Sequence, residues 1–195
     1  MINLFYRLCK SLLKRLTDET IFVEATNGFK HINGICPRCG AKGKFKSYGD
    51  YSRSLVSVTS GKVTSSNIRP HRYQCVSCST THALLPDIII PHSPYSLRFK
   101  LEVLTAYYKR DITVETICNN YGIAVSTIYA WMKRLLEHKE LLLGVLVSLR
   151  EPALAFLLGL FESISLSDRL RDFYRRHGFI FFHKRTIQAS RSRPP

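Results

Sequence analysis

Four cysteines carry the most specific chemistry in the chain. Cys36 and Cys39 form the stretch CPRCG, and Cys75 and Cys78 form CVSC, with thirty-five residues between the pairs. A two-residue gap lets both sulfurs of a pair point at one centre, and two such pairs supply the four soft ligands that tetrahedral zinc prefers. Such a site is closed: zinc held by four sulfurs has no open coordination position, so it holds the fold and catalyses nothing. A dithiol redox centre would use one pair and leave the other without a role, and two structural disulfides conflict with the reducing compartment inferred below. His71, four residues before Cys75, and His82, four after Cys78, lie close enough in sequence to replace a sulfur; four cysteines make that replacement unnecessary.

A second constellation lies in TVETICNNYGIAVSTIYAWMKRLL, residues 113–136. Thr113 caps a first helix, Gly122 permits a sharp turn, and a second helix starts near Val125. Ile117, Tyr121, Ile123, Ile128 and Trp131 then point into one small core, with Cys118 letting the helices approach. A small residue, a glycine four later and apolar positions six and nine beyond it make the pattern of a DNA-binding helix-turn-helix. On the second helix Ser126, Thr127, Tyr129, Ala130, Lys133 and Arg134 fall mostly away from the Ile128 and Trp131 face, which makes them the candidates for contact with duplex DNA; Ser126 is also a candidate cap. No Asn or Gln is placed to read adenine, and Arg134 alone is placed for guanine, so base preference is weak.

Both sites need elements to position them. Residues 2–16 place Leu4, Phe5, Leu8, Leu12, Leu13 and Leu16 on one helical face; TDET would end that helix, and IFVEA reads as a strand. Between the cysteine pairs, Tyr, Val, Ser and Thr alternate on either side of Ser60 and Gly61, the pattern of a hairpin that would bring the pairs together as a zinc ribbon. Pro86, Pro91 and Pro94 punctuate LLPDIIIPHSPYS and suggest an extended linker. Helical periodicity resumes at Leu97 and runs with breaks to about Tyr174, Leu97, Leu101, Leu104 and Tyr108 forming a supporting helix.

The expected fold is α+β: a small zinc-ribbon β-hairpin unit, a mainly α helix-turn-helix region and C-terminal helices. The expected divisions are residues 1–34 (amphipathic helix and strand), 35–91 (zinc ribbon), 95–140 (helix-turn-helix domain) and 141–195 (C-terminal helices and basic tail).

Charge agrees with a polyanionic partner. The 195 residues are 45% apolar, and 29 Lys and Arg against 14 Asp and Glu give a net charge of +15, which suits nucleic acid or an acidic membrane surface. No signal peptide is evident and six cysteines are too few for a disulfide scaffold, so the expected location is cytoplasmic and reducing. Residues 141–161 are the most lipid-like segment, but Arg150, Glu151 and Pro152 interrupt it short of a bilayer span. That segment should pack on the helical unit or make a homodimer.

CPRCG, RPHRYQCVSCSTTHALLP and TVETICNNYGIAVSTIYAWMKR, in that order, resemble a bacterial domain family of unknown function, found mostly in Firmicutes and related to the amino-terminal zinc-binding and helix-turn-helix parts of insertion-sequence transposases. The resemblance covers about residues 35–142 and implies DNA association and a structural zinc. It carries over no catalytic residue. About 55 residues follow Lys139, too few for the ribonuclease H-like domain of a full transposase, and Glu140, Glu151, Glu162, Asp168 and Asp172 read as helix-surface carboxylates. The expectation is a non-enzymatic protein with one structural zinc per chain, duplex DNA as partner and no membrane or small-molecule substrate. A zinc-ribbon adaptor that holds a protein partner, or a thiol oxidoreductase, is the alternative.

Overall fold

The computed structural model describes residues 2–4, 16–30, 34–59, 61–162 and 166–183. In chain order the elements are β1 (Ile2–Leu4), α1 (Asp18–Asn27), β2 (Phe45–Asp50), β3 (Arg53–Thr59), β4 (Lys62–Ile68), β5 (His71–Cys75), β6 (Thr81–Pro86), α2 (Leu97–Lys109), α3 (Val114–Tyr121), α4 (Val125–Leu143), α5 (Val145–Arg150), α6 (Ala153–Glu162) and α7 (Leu166–His177). The fold is α+β, and no described helix is long and apolar enough to cross a membrane.

Two sheets divide the strands. One has the order β1-β6-β5-β2, with β2–β5 and β5–β6 antiparallel and β1 parallel to β6; the other is the β3–β4 hairpin. The hairpin turns at Gly61, as the alternation predicts, but it does not join the cysteine pairs. That work falls to β2 and β5, whose register sets Phe45 opposite Cys75. The hairpin is an excursion between those two strands, and it docks instead on the helical side: Val56 N–H donates to Pro94 O and Ser96 N–H to Val56 O.

Three other expectations change. Ile2–Leu4 is a strand beside β6, not the start of a helix; residues 5–15, which held the rest of that expected helix, lie outside the described residues. IFVEA is helical. Thr17 caps α1 by accepting from Thr20 N–H at 3.1 Å, and Asp18 and Glu19 occupy the first turn, where carboxylates favour the helix dipole. A cap and dipole thus outweigh the modest strand preference of Ile21 and Val23. The proline-punctuated stretch is no extended linker either. Its prolines do exclude helix, yet Ile88, Ile89 and Ile90 are buried and Ile88 O accepts from Leu97 N–H at 2.8 Å, so it forms a core turn between β6 and α2.

One large apolar cluster joins Ile21 and Phe22 of α1, Leu55, Val58 and Ile68 of the hairpin, the Ile88–Ile90 turn, and helices α2, α3, α4, α6 and α7 through to Phe182. Phe156, Leu157 and Leu160 of α6 are buried in it, which is where the lipid-like C-terminal segment goes. A separate small cluster holds Cys36, Phe45, Cys75 and Leu84. Asp18 and Arg98 bind α1 to α2 through a 3.1 Å ion pair, the carboxylate fully buried. On α7, Asp168 and Asp172 pair with Arg171 and Arg175, as expected of surface carboxylates there.

Candidate functional site

The two cysteine pairs occupy matching turns. In the first, Cys36 N–H donates to Ala41 O and Gly40 N–H to Cys36 O, both at 2.9 Å; in the second, Cys75 N–H donates to Thr80 O at 2.9 Å and Ser79 N–H to Cys75 O at 2.8 Å. Each turn ends in a left-handed residue directly after its second cysteine, Gly40 at φ 75° and Ser79 at φ 57°. Glycine meets that requirement freely; serine does so against a steric cost, so closure of the second turn must outweigh it. Arg38 of one turn donates to Thr80 Oγ1 of the other at 2.6 Å, and the β2–β5 pairing completes the approach.

The result is four sulfurs within 4.8 Å of one another, Cys36 and Cys75 buried, Cys78 half-buried and Cys39 exposed. Cys36 Sγ lies 3.7 Å from Cys78 Sγ, and Cys39 Sγ 3.7 Å from Cys75 Sγ. Disulfides need about 2.05 Å, so these thiols are free. Sulfurs arranged tetrahedrally at about 2.3 Å from one zinc ion would sit about 3.8 Å apart. The donor set therefore fits a single metal ion.

The neighbours divide the protons of this cluster unevenly. The Thr80 hydroxyl and backbone N–H pull the Cys78 thiol down to about 6. The Ala41 backbone N–H pulls Cys39 the same way, but desolvation and the sulfurs of Cys36, Cys78 and Cys75 outweigh it and push that thiol up to about 12. A cation placed among them would favour the thiolate at every position and release the protons.

Neither histidine belongs to the four-ligand cluster, but they differ. His71 is engaged elsewhere, between Asp50 Oδ1 and Ser47 Oγ. His82 is buried with Nε2 3.3 Å from Cys36 Sγ, and burial, aided by the positive charge of Arg38, lowers its pKa to about 4. It is a neutral ring placed to donate an N–H to a Cys36 thiolate, an outer contact of the kind that orients ligands. Its sequence spacing pointed to the neighbourhood, not to this role.

Helices α2, α3 and α4 form the second site. Thr113 caps α3 by accepting from Thr116 N–H at 3.2 Å, and Gly122 takes φ 63° while its N–H donates to Cys118 O, the left-handed stop that turns the chain toward α4. Ile117, Ile123, Ile128 and Trp131 are buried and Tyr121 and Cys118 are half-buried against them. Phe99 of α2 meets Tyr121 and Trp131 edge-on at 5.8 and 6.1 Å, and Tyr95 stacks on Phe99 at 5.2 Å. These rings fix the orientation of α4 on its support.

That orientation leaves Ser126, Tyr129, Ala130 and Lys133 exposed and Thr127 and Arg134 half-buried, all on α4. Ser126 does not cap the helix. Ala124 holds the cap position without a side-chain bond, and Ser126 sits in the first turn facing outward. The helix runs on to Leu143, past the Leu136 to His138 end that its motif suggests, and His138 and Lys139 bind its far end to the C-terminal segments. Phe182 N–H donates to His138 Nδ1 at 2.8 Å, and Lys139 Nζ to Ser148 O at 2.8 Å and to Glu151 O.

Residues 36–131 match a domain of unknown function, DUF6431. The match begins at the first cysteine of the cluster and ends at Trp131, so it spans both cysteine turns, the hairpin and the helix-turn-helix up to its aromatic anchor. It carries no statement of function and no link to transposases or to a bacterial group. No curated protein and no solved structure matches the chain.

Proposed function

We propose that the protein is a non-catalytic, zinc-stabilised DNA-binding protein, of the transposase-like or transcription-regulator-like kind, that lays α4 in the major groove of duplex DNA. The observation that carries the reading is the outer face of α4: Ser126, Tyr129, Ala130 and Lys133 stand exposed while Ile128 and Trp131 anchor the helix behind them. A net charge of +15 supplies attraction to phosphate, and Lys133 and Arg134 displace counterions locally. The metal is zinc on the chemistry of its donors, since four thiolates select a soft tetrahedral ion. It fixes the ribbon and leaves no coordination position for a substrate.

Replacing Ser126 and Ala130 together by Glu puts two negative charges on the exposed face without touching the core. Anisotropy titration with labelled random-sequence duplex at low salt should show binding by the parent chain and at least a tenfold loss in the S126E/A130E variant, each charge pair opposed to phosphate costing on the order of 1 kcal/mol. Equal affinity for both proteins would remove α4 from the interface.

A second reading, a protein-interaction adaptor or homodimer, draws on the far end of the molecule. Leu141, Val147, Leu149 and Leu158 are exposed there, Leu149 at 77%. An adaptor would show little affinity for duplex at any salt concentration, whereas a dimer of a DNA-binding chain would retain it.

A further inference from the structure

Where the ribbon meets the helical body lies a cleft of about 860 Å³, a size that suits a small organic ligand. Its walls come from four places: the start of β3 with Tyr51 and Arg53, strands β5 and β6 with Arg72, the 91–94 turn with His92, and the 174–183 segment with His183. Four of its lining residues are basic, and no carboxylate lines it. None of the four forms an ion pair among the described residues.

The two arginines are held in place by the protein itself. Arg53 is fixed by donating to the carbonyls of Ile90 and Ser93. Arg72 lies over the rings of Tyr48 and Tyr51 at 5.3 and 5.7 Å, and its buried Nε has no hydrogen-bond partner. The rings of His92 and His183 lie 6.1 Å apart, tilted by 46°, and burial, with the positive charge of His92, Arg134 and Lys100 adding, lowers the pKa of His183, which keeps its ring neutral and able to donate one N–H. A phosphate oxygen can accept that N–H. The remaining lining divides between flat apolar surface, Tyr174 and Phe179 among it, and the hydroxyls of Ser52, Ser54, Ser93 and Thr81.

We propose that this cleft binds a nucleoside phosphate, its phosphate among Arg72, His92 and His183, its base against the aromatic side and its sugar near the hydroxyls. The ligand class follows from the three chemistries side by side: arginine for phosphate oxygens, rings for a planar base and serines for ribose. One ligand chemistry has two sources, a free nucleotide or the 5′-terminal nucleotide of a single strand. The site is separate from the outer face of α4 and does not rest on the duplex reading.

Calorimetric titration of the metal-loaded full chain tests it, with AMP, adenosine, inorganic phosphate and a 5′-phosphorylated oligothymidylate as probes. AMP or the oligonucleotide should bind at least about tenfold more tightly than adenosine or phosphate, and Arg72→Gln should remove about tenfold, the worth of one charge-assisted hydrogen bond. Saturation by AMP assigns the free nucleotide; saturation by the oligonucleotide alone assigns the strand end. Should Arg72→Gln lose its metal, the paired variant His92→Asn with His183→Gln, which leaves the ribbon untouched, must show the same weakening. The S126E/A130E variant should bind these probes as the parent does. Absence of binding by both nucleotide probes, affinity equal to that for phosphate, or full affinity in the folded variants would overturn the assignment.

Discussion

The ribbon and the helical body are held by different forces. The ribbon's own apolar cluster has only Cys36, Phe45, Cys75 and Leu84 buried, two of them from the four-cysteine cluster, with Phe29, Ala41, Tyr73 and Cys78 partly buried against them, too little surface to offset the chain entropy of its turns. The helical body buries side chains from α1 through Phe182 in one continuous cluster. A small unit needs a cross-link where a large one needs only close packing. The proposed reader, α4, belongs to the second kind, so its shape should depend on the metal far less than the ribbon does.

Metal removal is the sharpest way to separate the two. A chelator or Cys75→Ser should abolish stoichiometric metal and unfold the turns around Cys36 and Cys75, because structural zinc supplies on the order of 10 kcal/mol to small domains. Amide exchange at Gly40 and Ser79 should then become fast while α2 to α4 keep most of their protection. Loss of protection throughout would show that the two regions are one cooperative unit.

The reverse perturbation is Ile128→Ala, which hollows the core behind α4. It should cost about 2–5 kcal/mol in denaturant unfolding, with metal content unchanged at one ion per chain. Metal loss at low denaturant would break the distinction from the other side.

Acid gives a smaller and graded effect on the helical side. His138 Nδ1 accepts the Phe182 N–H among the rings of Phe173, Phe179 and Phe181, and burial, with Arg134, His177 and His183 adding, lowers its pKa from 6.5 to about 4. The folded form therefore binds its proton later than the unfolded form does. Its stabilising contribution is complete above about pH 6.5 and is lost as pH falls toward 4, up to about 3 kcal/mol. Thermal unfolding followed between pH 7 and pH 4 should show this slope diminished in His138→Gln.

The legible parts of the molecule were those written locally. Paired cysteines two residues apart, a cap at Thr113 and a stop at Gly122 each act within one turn of chain, so spacing alone located them. What escaped was settled by distant partners. Ile2–Leu4 is a strand because Leu84 to Pro86 lie beside it, a pairing that no periodicity near residue 2 reveals. The Ile88–Ile90 run is core because the hairpin and α2 cover it, although its flanking prolines read as punctuation. IFVEA is the exception: Thr17 and the acidic first turn act locally and start a helix, against the strand preference of the branched Ile21 and Val23. The hairpin turns at Gly61, where its alternation predicts, but only the β2–β5 register shows which strands bring the sulfurs together.

The salt dependence of duplex binding tests the central claim most directly. The logarithm of the affinity should fall linearly with the logarithm of salt concentration, and replacing Lys133 and Arg134 together by Ala should make that slope shallower by about 2, since each neutralised phosphate contributes about 0.9. An unchanged slope in a folded, metal-loaded double variant, or no duplex binding by the parent chain at about 50 mM salt, would contradict the account.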